Sequence, residues 1–321
     1  MPFLPGLASP HDSIDGLVYF PRMLSKIRLH AAGKLPEAYL SYLGEAPTHG
    51  GHFFDARCCR LLGVSHEALT RKTLEGSGAS DAAVLAWARE VGKNPSPEKI
   101  EIWSGYAAKR GWRDDATPSM REWARELGAD PDAVPTWFDG FDIDEERKRP
   151  ADHVPEPFRP GPFPQSKPTL IPGLPSPCER VGGLVYFPRM VAKIALHAAG
   201  KLPEAWVRAL GLGEGVRGAI TLDSYCLRFL GLDYEALRAQ VLAGKNDPAA
   251  LLAWSYEVGI RPTEEEITVW NAYMRKRGWR DKHHERIVFR LEEAGLPGDA
   301  ASTLFDFIDL DEGRPIHPIF A

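Results

Sequence analysis

The chain has 321 residues, long for one compact core and comfortable for two domains of roughly 100–200 residues each. Its 44% hydrophobic and 26% charged residues suit a globular protein, and a net charge of −5 argues against general nucleic-acid binding, which a basic domain usually marks. No apolar run approaches the roughly 18 residues of a membrane span, and four cysteines, two of them adjacent, make no disulfide framework, so a reduced, cytoplasmic protein is expected.

In chain order, MPFLPGLASPHD lacks the basic and apolar regions of a signal peptide. Residues 16–38, GLVYFPRMLSKIRLHAAGKLPEA, then reappear at 183–205 with 20 of 23 positions identical, at an offset of 167. The register continues in CCRLLGVSHEAL (58–69) against CLRFLGLDYEAL (226–237), shifted there by one residue. LAWAREVG (85–92) against LAWSYEVG (252–259) returns to 167, as does KRGWRD at 109–114 and 276–281. WFDGFDID (137–144) and LFDFIDLD (304–311) close the copies, and even the leaders PGLASP (5–10) and PGLPSP (172–177) match. The chain is a tandem duplication. Ten of its 28 prolines fall in 150–177, a semi-rigid extended connector. The resulting division is copy one at 1–147, a Pro-rich linker at 148–178 and copy two at 179–321.

Each copy reads as helical. Glycines at 33, 44, 63, 76, 92, 111 and 128 each close a stretch of helical spacing, and copy two repeats all seven at 200, 211, 231, 244, 259, 278 and 295. Pro21, Pro36 and Pro97 suit first helical positions. Asp55, Ser65 and Ser80 suit N-caps, and Thr263 with Glu266 has capping-box spacing. LVYF is apolar but isolated, so no strand is expected. The predicted fold is all-α: two tandem homologous domains of about seven short helices each. The copies are expected to pack on each other as an intramolecular pseudo-dimer related by a pseudo-twofold axis.

On the helix after Pro21, Arg22, Lys26 and His30 form a row up one side, repeated as Arg189, Lys193 and His197. The three differing positions, Leu24/Val191, Ser25/Ala192 and Arg28/Ala195, share one arc and read as tolerant surface. Arg22 and Lys26 sit where the helix dipole disfavours positive charge, so a carboxylate or a bound anion must offset them. Asp55/Asp223 and Glu37/Glu204 are the carboxylate candidates. Lys34/Lys201 follow the closing glycine and read as solvated.

In KRGWRD, Lys109 and Arg110 complement the helix C-terminus. Trp112 with Arg113, and Trp279 with Arg280, are either a pocket wall for an anion or a surface clamp. Trp87/Trp254 and Trp103/Trp270 read as core. His49 and His52 have ligand-like spacing without a counterpart in copy two, so no metal site is expected. The acidic tails Asp139, Asp142 and Asp144, with Asp306, Asp309 and Asp311, lack the calcium-loop pattern and read as solvated or capping acids. Cys58/Cys226 read as small core residues, with a Cys–His pair to His30 as the sharper alternative. No phosphate-binding glycine motif or nucleophile elbow is present, and no cofactor is expected.

The string GLVYFPRM…KI.LHAAGKLPEA, followed by D..C.R.LG and LAW, resembles a bacterial family catalogued as domain of unknown function 5069. The resemblance covers nearly all of each copy and implies a small helical cytoplasmic domain, without assigning chemistry. Three functions compete: a module binding one small anionic ligand per copy through the basic rows, a structural or protein-interaction module, and an enzyme using His30/His197 as acid–base groups.

Overall fold

A computed structural model describes residues 3–44, 53–76, 78–147, 170–207, 209–212 and 220–316. The chain divides into two compact units, one per copy. Both are mostly helical.

Copy one begins with a two-residue antiparallel ladder, β1 (Ser13–Ile14) and β2 (Leu17–Val18). Its turn is Asp15-Gly16, both at positive φ, the pairing a tight hairpin demands. The helices are α1 (Phe20–Ala31), α2 (Phe54–Leu62), α3 (His66–Thr73), α4 (Asp81–Val91), α5 (Pro97–Ala108), α6 (Thr117–Glu126) and α7 (Trp137–Asp144), with a 3-10 turn at Glu37–Tyr42. Copy two repeats the hairpin as β3 (Arg180–Val181) and β4 (Leu184–Val185), around Gly182-Gly183. Its helices are α8 (Phe187–Ala198), α9 (Glu204–Val207), α10 (Leu222–Leu230), α11 (Tyr234–Leu242), α12 (Pro248–Val258), α13 (Glu264–Lys276), α14 (His284–Glu293) and α15 (Leu304–Asp311).

The capping chemistry explains these boundaries. Ser65 and Ser80 accept from the backbone N–H groups of Ala68 and Ala83, and Thr263 and Glu266 complete a reciprocal box. Gly63 and Gly231 close α2 and α10 in the left-handed conformation. Gly92 and Gly259 do not. They are required because a side chain there would collide with the carbonyls of Leu62 and Leu230.

Several sequence expectations are corrected by packing. Asp55 is not a cap: α2 starts at Phe54, and Asp55 is wholly buried in its first turn. Leu24 and Ser25 are buried because the leader covers that arc, with Ala8 N–H donating to Ser25 Oγ at 3.1 Å. Only Arg28 reaches outward, pairing with Asp81 at 2.7 Å. Trp103 and Trp270 are core, but Trp87 and Trp254 are only half-buried. Residues 170–178, read as linker, belong to copy two: Ile171 and Leu174 pack with Leu202 and Leu210. His49 and His52 lie outside the described residues.

Candidate functional site

The basic rows are built into the interior. Tyr19 caps α1 at a positive φ of 68°, costly for an aromatic residue. Its ring stacks on Phe138 at 5.8 Å and its hydroxyl donates to Asp55 Oδ1 at 2.9 Å. Lys26 Nζ reaches the same Oδ1 at 2.6 Å and donates to the Tyr42 carbonyl at 3.1 Å, while Gly44 N–H donates to Asp55 Oδ2 at 2.8 Å. Lys26 and Asp55 are 2% and 0% exposed. Burial pulls the ammonium of Lys26 below its usual range and Asp55 opposes that.

Arg22 forks onto Glu145 and donates to the Ala8 carbonyl at 2.9 Å. Glu145 also accepts from Tyr39 Oη at 3.1 Å and Arg147 Nε at 2.8 Å. Burial opposes its ionisation, but the guanidiniums of Arg22 and Arg147 hold its carboxyl below the usual range. Copy two repeats the arrangement: Tyr186 and Lys193 meet Asp223 at 2.8 and 2.6 Å, and Arg189 and Arg314 meet Glu312. Carboxylates of the protein therefore offset the dipole conflict. Glu145 and Glu312 escape a local reading because each lies 123 residues from its arginine, yet the repeated Asp-Glu-x-Arg at 144–147 and 311–314 carries the signal.

The remaining sequence candidates scatter. His30 and His197 are exposed, as are Lys34 and Lys201. Arg113 lies over Trp112 at 5.2 Å and Arg280 over Trp279 at 4.7 Å, cation–π contacts between neighbours in the chain. Cys58 is fully buried, and burial pushes its thiol well up, the opposite of an activated nucleophile. Asp139, Asp142, Asp306 and Asp309 are buried rather than solvated, because α7 and α15 turn their acidic stripes inward. Ser9 Oγ donates to Asp142 at 2.9 Å, and Ser176 Oγ to Asp309 at 2.8 Å.

A feature absent from the sequence reading opens in copy two. A cavity of about 210 Å³ lies between α8, α9, α10, α14 and α15. Arg189 and Lys193 form part of its wall, joined by Arg277, Arg286 and Arg290; Asp311 is its one acidic lining residue. Trp206, Leu222, Leu304 and Phe307 supply an apolar side. Arg277 is 1% exposed, and its Nε and Nη1 have no hydrogen-bond partner among the described residues. Its Nη2 lies 3.1 Å from His283 Nε2, and its guanidinium carbon sits 4.0 Å from the centre of the Tyr225 ring. Arg286 is held below the usual guanidinium range by burial and by the charges of Arg277 and Arg290.

The same place in copy one is differently built. Arg110, the counterpart of Arg277, forks onto Asp115 and pairs with Asp114. Copy two has Lys282 where Asp115 stands, which denies Arg277 that partner and leaves it over Tyr225. Trp123 stands where copy two has Arg290, packed on Gly140, Trp137 and Phe141. Ser119 stands in place of Arg286. Three cationic features are thus peculiar to copy two.

A model of a family described as a domain of unknown function (DUF5069) matches residues 5–147 and 172–314. No curated protein and no solved structure matches the chain. Among the described residues, no helix is long and apolar enough to cross a membrane.

Proposed function

Since the chain belongs to the DUF5069 family, in two tandem copies, we propose a division of labour between them: copy two binds a small anion, and copy one does not. The observation that carries this reading is Arg277, a buried guanidinium with two unpaired nitrogens in the cavity wall. Leaving such donors unsatisfied costs about 1–3 kcal/mol or more for a charged group, a cost an anionic ligand would remove. Arg22, Lys26, Arg189 and Lys193 are spent on internal carboxylates, so their first role is to hold the leader, α1 or α8 and the closing helix together. An acid–base role for His30 and His197 has no such support, because both are exposed and neither lines the cavity.

The test is a thermal-shift screen of the full chain against phosphate and small carboxylates, beside Arg277→Met. A ligand at 100 times its dissociation constant should stabilise copy two by about 2.7 kcal/mol. Stabilisation of the wild type that Arg277→Met abolishes supports the reading. A shift that survives in Arg277→Met would place binding elsewhere, and no shift from any anion would overturn the proposal.

A further inference from the structure

Residues 16–38 and 183–205 differ at only three places, and all three of the copy-two residues, Val191, Ala192 and Ala195, line one groove. Each is smaller than its counterpart, Leu24, Ser25 or Arg28. The groove holds about 690 Å³, within the range of small-molecule sites, and lies between α8, the leader of copy two and the start of α12. It shares no lining residue with the Arg277 cavity and is a separate feature of copy two. Two neighbouring differences go with it. Pro175 stands where Ala8 does and has no N–H to give, so position 192 needs no hydroxyl to receive it. Pro248 stands where Asp81 does, so the carboxylate that holds Arg28 in copy one is gone from that position.

Copy one shows what fits such a place. The Arg28 stem leaves α1 at the position of Ala195, and its head takes two acceptors. Its Nη2 donates to the Ala79 carbonyl at 2.8 Å, and its Nη1 meets Asp81 at 2.7 Å. Copy two keeps an acceptor pair without the arginine. Helices α4 and α12 are both eleven residues long, so Asn246, just ahead of the α12 cap, takes the place of Ala79. The carboxylate moves back one position, to the cap itself, Asp247. Asp247 accepts from the N–H groups of Ala249 and Ala250 at 3.1 and 3.3 Å, which leaves acceptor sites on a carboxylate that offers about four. The lining also carries Glu179, Arg180 and Lys201, so its charges balance and net charge does not select the ligand. Placement does: neither cation is paired with Asp247 among the described residues, and Ala192 and Ala195 leave room for a stem. A planar guanidinium can span a carbonyl and a carboxylate, as Arg28 does. We infer that this groove binds a small aliphatic guanidine, its stem along Ala192 and Ala195 and its head on the Asn246 carbonyl and the Asp247 carboxylate.

Isothermal titration calorimetry of the full chain tests this with n-butylguanidinium, its neutral isostere n-butylurea, and guanidinium itself. The first should bind at one site per chain in the millimolar range, at least about tenfold more tightly than either of the others. Equal binding of n-butylurea would overturn the cationic head, and equal binding of guanidinium would overturn the stem. No binding by any of the three would overturn the site.

Two variants, both borrowed from copy one, locate it. Ala195→Arg supplies the side chain from the helix itself, at an incompletely buried position, and should abolish binding. Asp247→Ser keeps the helix cap, as Ser80 does in α4, while removing the charge, and should weaken binding about tenfold. Unchanged affinity in Asp247→Ser would overturn the assignment, whether or not Ala195→Arg folds.

Discussion

Trp123 packs so closely on Gly140 that a methyl group at position 140 would run into its indole. Copy two has Arg290 and Phe307 at the two corresponding places, and there a cavity opens. Gly140→Ala should therefore overpack copy one and cost about 1–3 kcal/mol. For a domain of this size that is a fall of roughly 2–4 °C per kcal/mol in the first unit's melting temperature, read by calorimetry. Adding Trp123→Leu should return part of the loss; if it makes the loss larger, the clash is not the cause.

Lys26 and Asp55 form an ion pair of copy one whose side chains are 2% and 0% exposed. Lys26→Met strands a buried carboxylate that still holds Tyr19 and Gly44 and should cost about 3–5 kcal/mol. Asp55→Asn should cost a similar amount. The double variant should be much less destabilised than the sum of the two, because neither buried charge is then left alone. Urea unfolding of all four chains measures the coupling, and strict additivity would show that the pair does not act as a unit.

Asp142 gives copy one a distinctive pH dependence. Burial pushes its carboxyl up to about 6, against the pull of the Ser9 hydroxyl and Arg147. Between its ordinary value of about 3.9 and about 6, the folded state keeps a proton that the unfolded chain releases. This contribution to stability is therefore full below about 4 and is lost as the pH rises toward 6. Asp142→Asn, which can still accept from Ser9, should stabilise the first unit by about 1–3 kcal/mol at neutral pH and hardly at all near pH 4. Unfolding curves at the two pH values check the difference, and an equal gain at both would refute it.

Arg277 should be a stability cost carried for binding. Arg277→Met removes two unsatisfied donors and the repulsion of Arg286 while filling similar volume, and should stabilise copy two by about 1–2 kcal/mol. Arg110→Met in copy one breaks pairs with the exposed Asp115 and the buried Asp114, and should cost about 1–3 kcal/mol. Opposite signs for two aligned arginines are the expected result in a thermal melt; a large loss in Arg277→Met would make its role structural.

The fold was legible in the sequence because duplication printed every helix-closing signal twice, and Ser65, Ser80 and the Thr263–Glu266 box cap the helices as their spacing implies. The Lys26–Asp55 pairing was also within reach, as both residues recur in the second copy. Arg22–Glu145 was not, since nothing local connects residues 123 apart. The arc holding Leu24 and Ser25 misled for a related reason: helical phase says which residues share a side, but not that a leader strap covers it. The cavity was hidden by the comparison itself. Identities between copies mark what both need for folding, whereas the cavity depends on differences: Lys282, Arg286, Arg290 and Tyr225 in place of Asp115, Ser119, Trp123 and Arg57.

The long separation between Arg22 and Glu145 also sets an order of events on the ribosome. Helices α1 and α8 are nearly interchangeable, so each could in principle seat against the other copy's acidic partner, the misassembly to which tandem repeats are prone. Synthesis runs from the N-terminus at about 5–20 residues per second, so Glu145 is made some seconds before α8 is complete. Copy one has that interval to close its latch on its own helix, and the connector between the copies lengthens it. Shortening that delay, by faster translation or by deleting connector sequence, should raise the yield of chains in which the two helices have traded places.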